Sequence, residues 1–356
     1  MKISLDDNYR DRLATELFGE TDRKLSHLSL SPSISQEELD LSMKGWDIEA
    51  APIHTVMLAS FLMKTHPELV FPDKVVPRLQ GVLTFCRFQY LKLASDVARV
   101  MKTLEQNQIA TLVIKGGAMK VYRPDFPRWM SDIDIVVPEK DFHVATDLIK
   151  QLGFDPLYRP HSIDMRTPGT NEGVIDLHHF IKTGTGSSAE LNDYIFSRAL
   201  PGRLFSSECL VPCREDMVFV LLVNYFDNIL NKTSSENMAT LFFDIKYLVD
   251  LEQSFDWEAV KDNARRTGTV ERLYILGNLA DDIAPGVLPT GFLEEEADKD
   301  AVSGLYRRME YNRNVLAPLR KEIATPNLWK AIKTYRPLWK YFWLRCKLFY
   351  LKRRRI

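Results

Sequence analysis

The chain has 356 residues, 45% of them hydrophobic and 27% charged, the balance of a soluble globular protein rather than a disordered or collagen-like one. Its longest apolar stretches, Val56–Met63 and Val218–Val223, fall far short of the ~18–20 residues that span a bilayer. Acidic Asp6 and Asp7 stand where a signal peptide would be apolar. Four scattered cysteines exclude a disulfide framework. The expectation is two or three folded units in a reduced, cytoplasmic setting.

In chain order, residues 1–75 read as mostly helical, with Ser35 and Glu38 spaced as a capping box that opens a helix. After Pro77 a long helix is predicted. Leu79, Val82, Cys86, Tyr90, Leu93, Val97, Val100 and Leu104 recur every three or four residues as one apolar stripe. Three β-type runs follow, at Ala110–Ile114, Ile133–Val137 and Val174–Leu177. Between the last two, Asp141–Leu152 reads as a helix closed by Gly153. From about Glu215 helices return: Met217–Ile229, Met238–Leu251, Trp257–Thr267 and Val270–Ala280. The expected fold class is α+β. A small mixed sheet at 107–205 is flanked by a helical arm, 1–106, and a helical region, 206–356, that ends in a basic amphipathic tail.

Chemistry is expected where the β-type runs end. Lys115-Gly116-Gly117 follows the first run, and glycines before a helix start admit close approach of a phosphate to free backbone N–H groups. Asp132-Ile133-Asp134 follows, with both carboxylates on one face of a strand, where their repulsion calls for a cation or solvent. The third run carries Asp176 with His178 two residues on, again on one face. Each signal alone has a plain structural reading as a turn, a solvated strand end or an edge residue. Three in order, each on a β-type run, point instead to metal-assisted phosphoryl chemistry.

These residues resemble the nucleotidyltransferase superfamily of DNA polymerase β type. Within it the sequence is similar to the bacterial family of uncharacterised nucleotidyltransferases, whose pattern is a long helix, a strand ending in Leu-Lys-Gly, an Arg shortly before Asp-hydrophobic-Asp, and Asp-Leu-His. Here these are Val113-Ile114-Lys115-Gly116-Gly117, Arg128, Asp132-Ile133-Asp134 and Asp176-Leu177-His178. The likeness is good over about 77–180 and looser elsewhere. It implies Mg²⁺, two ions, held by Asp132, Asp134 and Asp176, and a nucleoside triphosphate, ATP as donor, cradled at Gly116 and Gly117. It further implies transfer of a nucleoside monophosphate to a hydroxyl or phosphate of an unidentified acceptor: a small metabolite, a peptide product, a glycan precursor, a protein or RNA. The other reading is a non-catalytic nucleotide-binding or regulatory module on the same fold. The pattern departs from the superfamily in a longer stretch after Gly117, holding Pro124 and Pro127, and in lacking a Ser after the first glycine.

Among the remaining candidates, Arg128 either contacts phosphate or is a surface residue. Lys115 and Lys120 flank the glycines, within reach of a triphosphate, although strand alternation puts Lys115 on the side away from the ligand. His178, on the nucleotide side, either polarises a substrate or orients a carboxylate, or is structural, and Asp244 sits in an otherwise apolar helix. Residues 330–356 hold ten Lys or Arg and no acid, against a net of −11 on the rest. Trp339, Phe342, Trp343, Cys346, Phe349 and Tyr350 recur there at helical spacing. That composition suits packing on the acidic body, the favoured reading, or weak contact of 336–356 with a membrane surface at the inner face. Nothing in it is a strong nucleic-acid signal.

Overall fold

A computed structural model describes residues 24–25, 27–31, 33–51, 53–124, 126, 130–159, 162–169, 173–183, 189–231, 238–251 and 254–312. Arg128 and the aromatic–basic tail at 336–356 therefore lie outside the described residues. The described residues fall into a large compact unit, up to 229 and from 238 to 305, and a small one made by 230–231 and 306–312. All elements that follow belong to the large unit, apart from the last two residues of helix Arg214–Asn231.

The N-terminal helices form as their sequences dictate. Helix Gln36–Met43 begins at Ser35, whose hydroxyl accepts from the Glu38 N–H while the Glu38 carboxylate accepts from the Ser35 N–H. Helix Ile53–Thr65 is apolar nearly all round and accordingly buried, with Val56, Leu58, Ala59, Phe61 and Leu62 at 1% exposure or less. The long helix runs 31 residues, Val76–Gln106, with Pro77 in its first turn, where a missing N–H costs nothing. Of its apolar stripe, Leu79, Val82, Cys86, Leu93, Val97, Val100 and Leu104 are buried, whereas Tyr90 is only half-buried. The upper half packs with the first two helices, in one core with Trp46 and Phe71.

The sheet has seven strands in the order β3-β4-β5-β2-β1-β7-β6. They are β1 (Leu112–Ile114), β2 (Ile133–Val136), β3 (Asp155–Tyr158), β4 (Ser162–Arg166), β5 (Gly173–His178), β6 (Leu200–Leu204) and β7 (Ser207–Val211). β2 runs parallel to β5 and β1 parallel to β7, and the other pairs are antiparallel. The fold is thus α+β with a mixed sheet. The three predicted runs are β1, β2 and β5, with ends shifted by one or two residues. β3, β4, β6 and β7 were not anticipated, and β7 carries the sheet past residue 205.

Helix Phe142–Gln151 connects β2 to the β3–β4 hairpin and ends at Gly153, φ +93°, a left-handed conformation that favours glycine. Helix Ala189–Arg198 also lies outside the predicted set. Among the predicted C-terminal helices, Trp257–Thr267 has the expected bounds, and Arg214–Asn231, Met238–Val249 and Val270–Ile283 are close to theirs. They hold the chain beyond β5 through a buried ion network. Arg272 donates to Asp227 (3.1 Å) and to the Thr183 carbonyl (3.2 Å), and Lys182 pairs with Asp227 at 3.3 Å. Asp244 is buried on helix Met238–Val249. No helix among the described residues is long and apolar enough to cross a membrane.

Candidate functional site

Register puts the acids in one row. Ile114 of β1 pairs with Asp134 of β2, Asp134 with Asp176 of β5, and Asp176 with Asp164 of β4. Paired residues on neighbouring strands project from the same face, so Asp134, Asp176 and Asp164 share one side of the sheet.

His178 ties the first two together. Its Nε2 lies 3.2 Å from Asp134 Oδ1 and 3.2 Å from Asp176 Oδ2, with the ring buried. Burial alone would lower the imidazole pKa, but the bonds to both carboxylates outweigh it and raise the value. Lys115 Nζ is 2.5 Å from the same Asp134 oxygen. Burial would raise the Asp134 carboxyl, yet the Lys115 charge and the His178 bond hold it below its ordinary value. Asp176 behaves alike, with His178 overcoming the effect of burial.

Lys115 therefore lies on the carboxylate side, contrary to the expectation from strand alternation. The reason is local. β1 ends at Ile114, and Lys115 opens helix Lys115–Tyr122 with φ +52°. Alternation stops where the extended backbone stops, and the left-handed conformation, strained for any side chain but glycine, swings the lysine across to Asp134.

Asp132 precedes β2 in a bend and is half-buried. Burial, then repulsion from Asp134, raises its pKa to about 6, with Asp176 adding to the effect. A carboxyl that resists ionisation next to two ionised ones marks a place where positive charge is wanted.

The two glycines divide. Both are buried in the first turn of helix Lys115–Tyr122, which begins at Ile114 with no side-chain cap. A Cβ on Gly117 would meet Val113 Cγ1 at 2.6 Å and Ile133 Cγ2 at 3.0 Å. Gly117 is thus small so that helix and sheet can touch, which corrects the expectation that its missing side chain makes room for phosphate. Lys120 is also turned elsewhere. Its ammonium donates to the carbonyls of Phe126 and Pro124 and lies 4.6 Å over the Tyr90 ring.

Sequence reading missed Asp164. Its Oδ2 accepts from Arg159 Nη2 (3.1 Å) and from Arg166 Nε and Nη2 (3.1 and 3.0 Å). With its charge committed to two guanidinium groups, Asp164 extends the row without adding free negative charge. The alternating run Ser162-Ile163-Asp164-Met165-Arg166 was the available signal.

A divalent cation fits this donor set. Oxygen or nitrogen atoms of Asp134, Asp176 and His178 lie within 4.8 Å of one another. Asp176 Oδ1 is buried without a hydrogen-bond partner, an unspent acceptor on the carboxylate whose other oxygen faces His178. Two carboxylates suit a hard divalent ion.

The acidic row on one sheet face thus lies beside a helix start without a side-chain cap, whose free N–H groups favour negative charge. A family model described as uncharacterised nucleotidyltransferase matches residues 55–285, and the chain belongs to that family. A solved structure that matches is an antigenic nucleotidyltransferase-like protein from Paracoccidioides brasiliensis, at 15% identity over 51% of this chain and 91% of that one, with a TM-score of 0.33. A search of curated protein sequences finds no match.

Proposed function

We propose that this chain transfers a nucleoside monophosphate from a nucleoside triphosphate, with ATP as donor, to a hydroxyl or phosphate of an acceptor, whose oxygen bonds the α-phosphorus as the α–β phosphoanhydride breaks and pyrophosphate leaves. Asp134 and Asp176, with Asp132, would hold Mg²⁺. When bound, that metal would neutralise phosphate charge and stabilise the attacking and leaving oxygens. The observation that carries the reading is the pairing of Asp134 with Asp176 in one register row, bridged by His178, inside the span matched by the nucleotidyltransferase family.

The other residues take roles that follow from their positions. His178 fixes the orientation of both carboxylates, so that neither must reorganise when charge arrives. Lys115 holds the counter-charge at Asp134 and is available to a triphosphate that docks there. The N–H groups of the first helical turn, including those of Gly116 and Gly117, have no intrahelical acceptor and offer themselves to an anion. Asp176 serves as metal ligand or takes the proton from the acceptor hydroxyl. A complete carboxylate set argues for catalysis over a binding-only module.

The test is incubation of the full chain with Mg²⁺, each labelled triphosphate and cell extract, alongside calorimetry with Mg·ATP. Wild type is expected to bind Mg·ATP and label an acceptor. Asp176→Asn is expected to lose turnover by more than it loses nucleotide affinity, because its contribution is greatest in the transition state. Absence of Mg²⁺-dependent triphosphate binding in wild type would sink the proposal.

A further inference from the structure

The row of sheet positions that holds the carboxylates has two chemically different flanks. Across the sheet it reads Ile114, Asp134, Asp176, Asp164, on β1, β2, β5 and β4. At ~4.8 Å between neighbouring strands, Asp164 lies two strands, about 10 Å, from Asp134. On the β1 side stand Lys115 and the N–H groups that open helix Lys115–Tyr122. On the β4 side stand Arg159 and Arg166, both held by Asp164.

Three features of the β4 flank exceed what a hairpin ion pair needs. First, all the bonds fall on one oxygen, Asp164 Oδ2, which accepts from Arg159 Nη2 (3.1 Å) and from Arg166 Nε (3.1 Å) and Nη2 (3.0 Å). One carboxylate balances one guanidinium, so the second brings a charge that Asp164 does not match. Second, Arg159 Nε and Nη1 and Arg166 Nη1 meet no other acceptor among the described residues. Third, the anchor is buried and the forks are not. The Asp164 side chain is 9% exposed, against 25% for Arg166 and 48% for Arg159. A buried carboxylate thus fixes two guanidinium groups whose remaining donors reach water, and little order is left to create when an oxyanion docks.

In-line displacement assigns the flanks. The entering oxygen and the leaving pyrophosphate stand on opposite sides of the α-phosphorus. With that phosphorus beside Asp134 and Asp176 and the pyrophosphate on the Lys115 flank, the entering hydroxyl comes from the β4 flank. We propose that Arg159 and Arg166 bind the acceptor, and that the acceptor is an alcohol bearing an oxyanion, phosphate or carboxylate. The guanidinium groups take the oxyanion while the hydroxyl faces Asp176. The hydroxyl oxygen bonds the α-phosphorus, pyrophosphate leaves, and the proton passes to Asp176 or solvent. The acceptor role rests on the transfer reading, whereas the oxyanion site does not.

Calorimetry on the full chain tests it, with glycerol 3-phosphate and glycerate as probes and glycerol as control. Each titration is run alone and with saturating Mg²⁺ and α,β-methylene-ATP, a donor analogue that cannot be cleaved between the α- and β-phosphorus. At least one anion is expected to bind about tenfold or more tightly than glycerol, and the tighter of the two identifies the oxyanion. It should bind as well with the analogue in place, because in-line attack holds both substrates at once. Arg159→Gln leaves Asp164 both bonds from Arg166, so it should melt as wild type. It should weaken anion binding about tenfold or more, with Mg·ATP affinity as in wild type. No preference over glycerol, or indifference to both Arg159→Gln and Arg166→Gln, would overturn the proposal. Competition between the anion and the analogue would also overturn it, by assigning the arginines to the triphosphate. A wild type that binds no Mg·ATP sinks the transfer reading but leaves the anion titration and its dependence on Arg159 readable, so the two fail separately.

Discussion

Asp134→Asn is expected to cut nucleotidyl transfer by roughly three orders of magnitude or more, since the interaction it removes is of the several-kcal/mol kind that cations supply to phosphoryl transition states. It should also lower stability, because Lys115 loses the partner 2.5 Å away and keeps its charge in a largely buried position. One-sided removal of a buried ion pair costs ~3–5 kcal/mol, and the partial exposure of Lys115 places this case at the low end. The double variant Lys115→Met with Asp134→Asn is expected to recover most of that stability and none of the activity. Thermal melts and labelled-ATP assays on the three proteins check both halves. A single variant that still binds Mg·ATP as wild type would exclude Asp134 as a metal ligand.

Gly117→Val is expected to destabilise the whole core. Even the first added carbon meets Val113 and Ile133, both fully buried strand residues that cannot move aside. Overpacking of this kind costs ~1–3 kcal/mol at the alanine stage and more for valine. Melting temperature should therefore fall in step with nucleotide binding, and the folded fraction that survives should bind Mg·ATP normally. An unchanged melting temperature with lost affinity would instead mean that the glycine faces the ligand.

The helices were largely readable because a 3.6-residue apolar period over ten or more residues has few competing explanations. Val76–Gln106 shows this, with seven of eight stripe residues buried. Ser35 and Glu38 were equally direct, since capping chemistry is local. β6, Leu200-Pro201-Gly202-Arg203-Leu204, escaped because proline and glycine argue against a strand, although a sheet edge tolerates both. β4 was missed for another reason. Its polar alternate residues face the acid row rather than solvent, and only pairing with β5 reveals that.

Of the site, Asp134 and Asp176 were legible from their place on β-type runs, since parity along a strand is fixed. Lys115 was misplaced because that rule was carried one residue past the end of β1. Gly117 was misjudged because a missing Cβ says that something comes close, not whether it is a ligand or a neighbouring strand. Asp164 and the bridging geometry of His178 depend on which strands become neighbours, a property of the whole sheet rather than of any segment.

The central strand β1 has only three residues, and its partners come from far along the chain: Val113 pairs with Ile135, but Leu112 pairs with Leu210. Closing a connection that long is entropically costly until both ends can be rewarded by burial. The β1–β7 contact, next to the acid row rather than within it, is thus expected to form late in folding, after the β2–β5–β4 pairings that carry the acids. In pulse-labelled hydrogen exchange, amides of the long helix should become protected well before those of β1 and β7. A nascent chain ending near residue 180 would carry every carboxylate of the site and still lack β7, one of the two strands that flank β1.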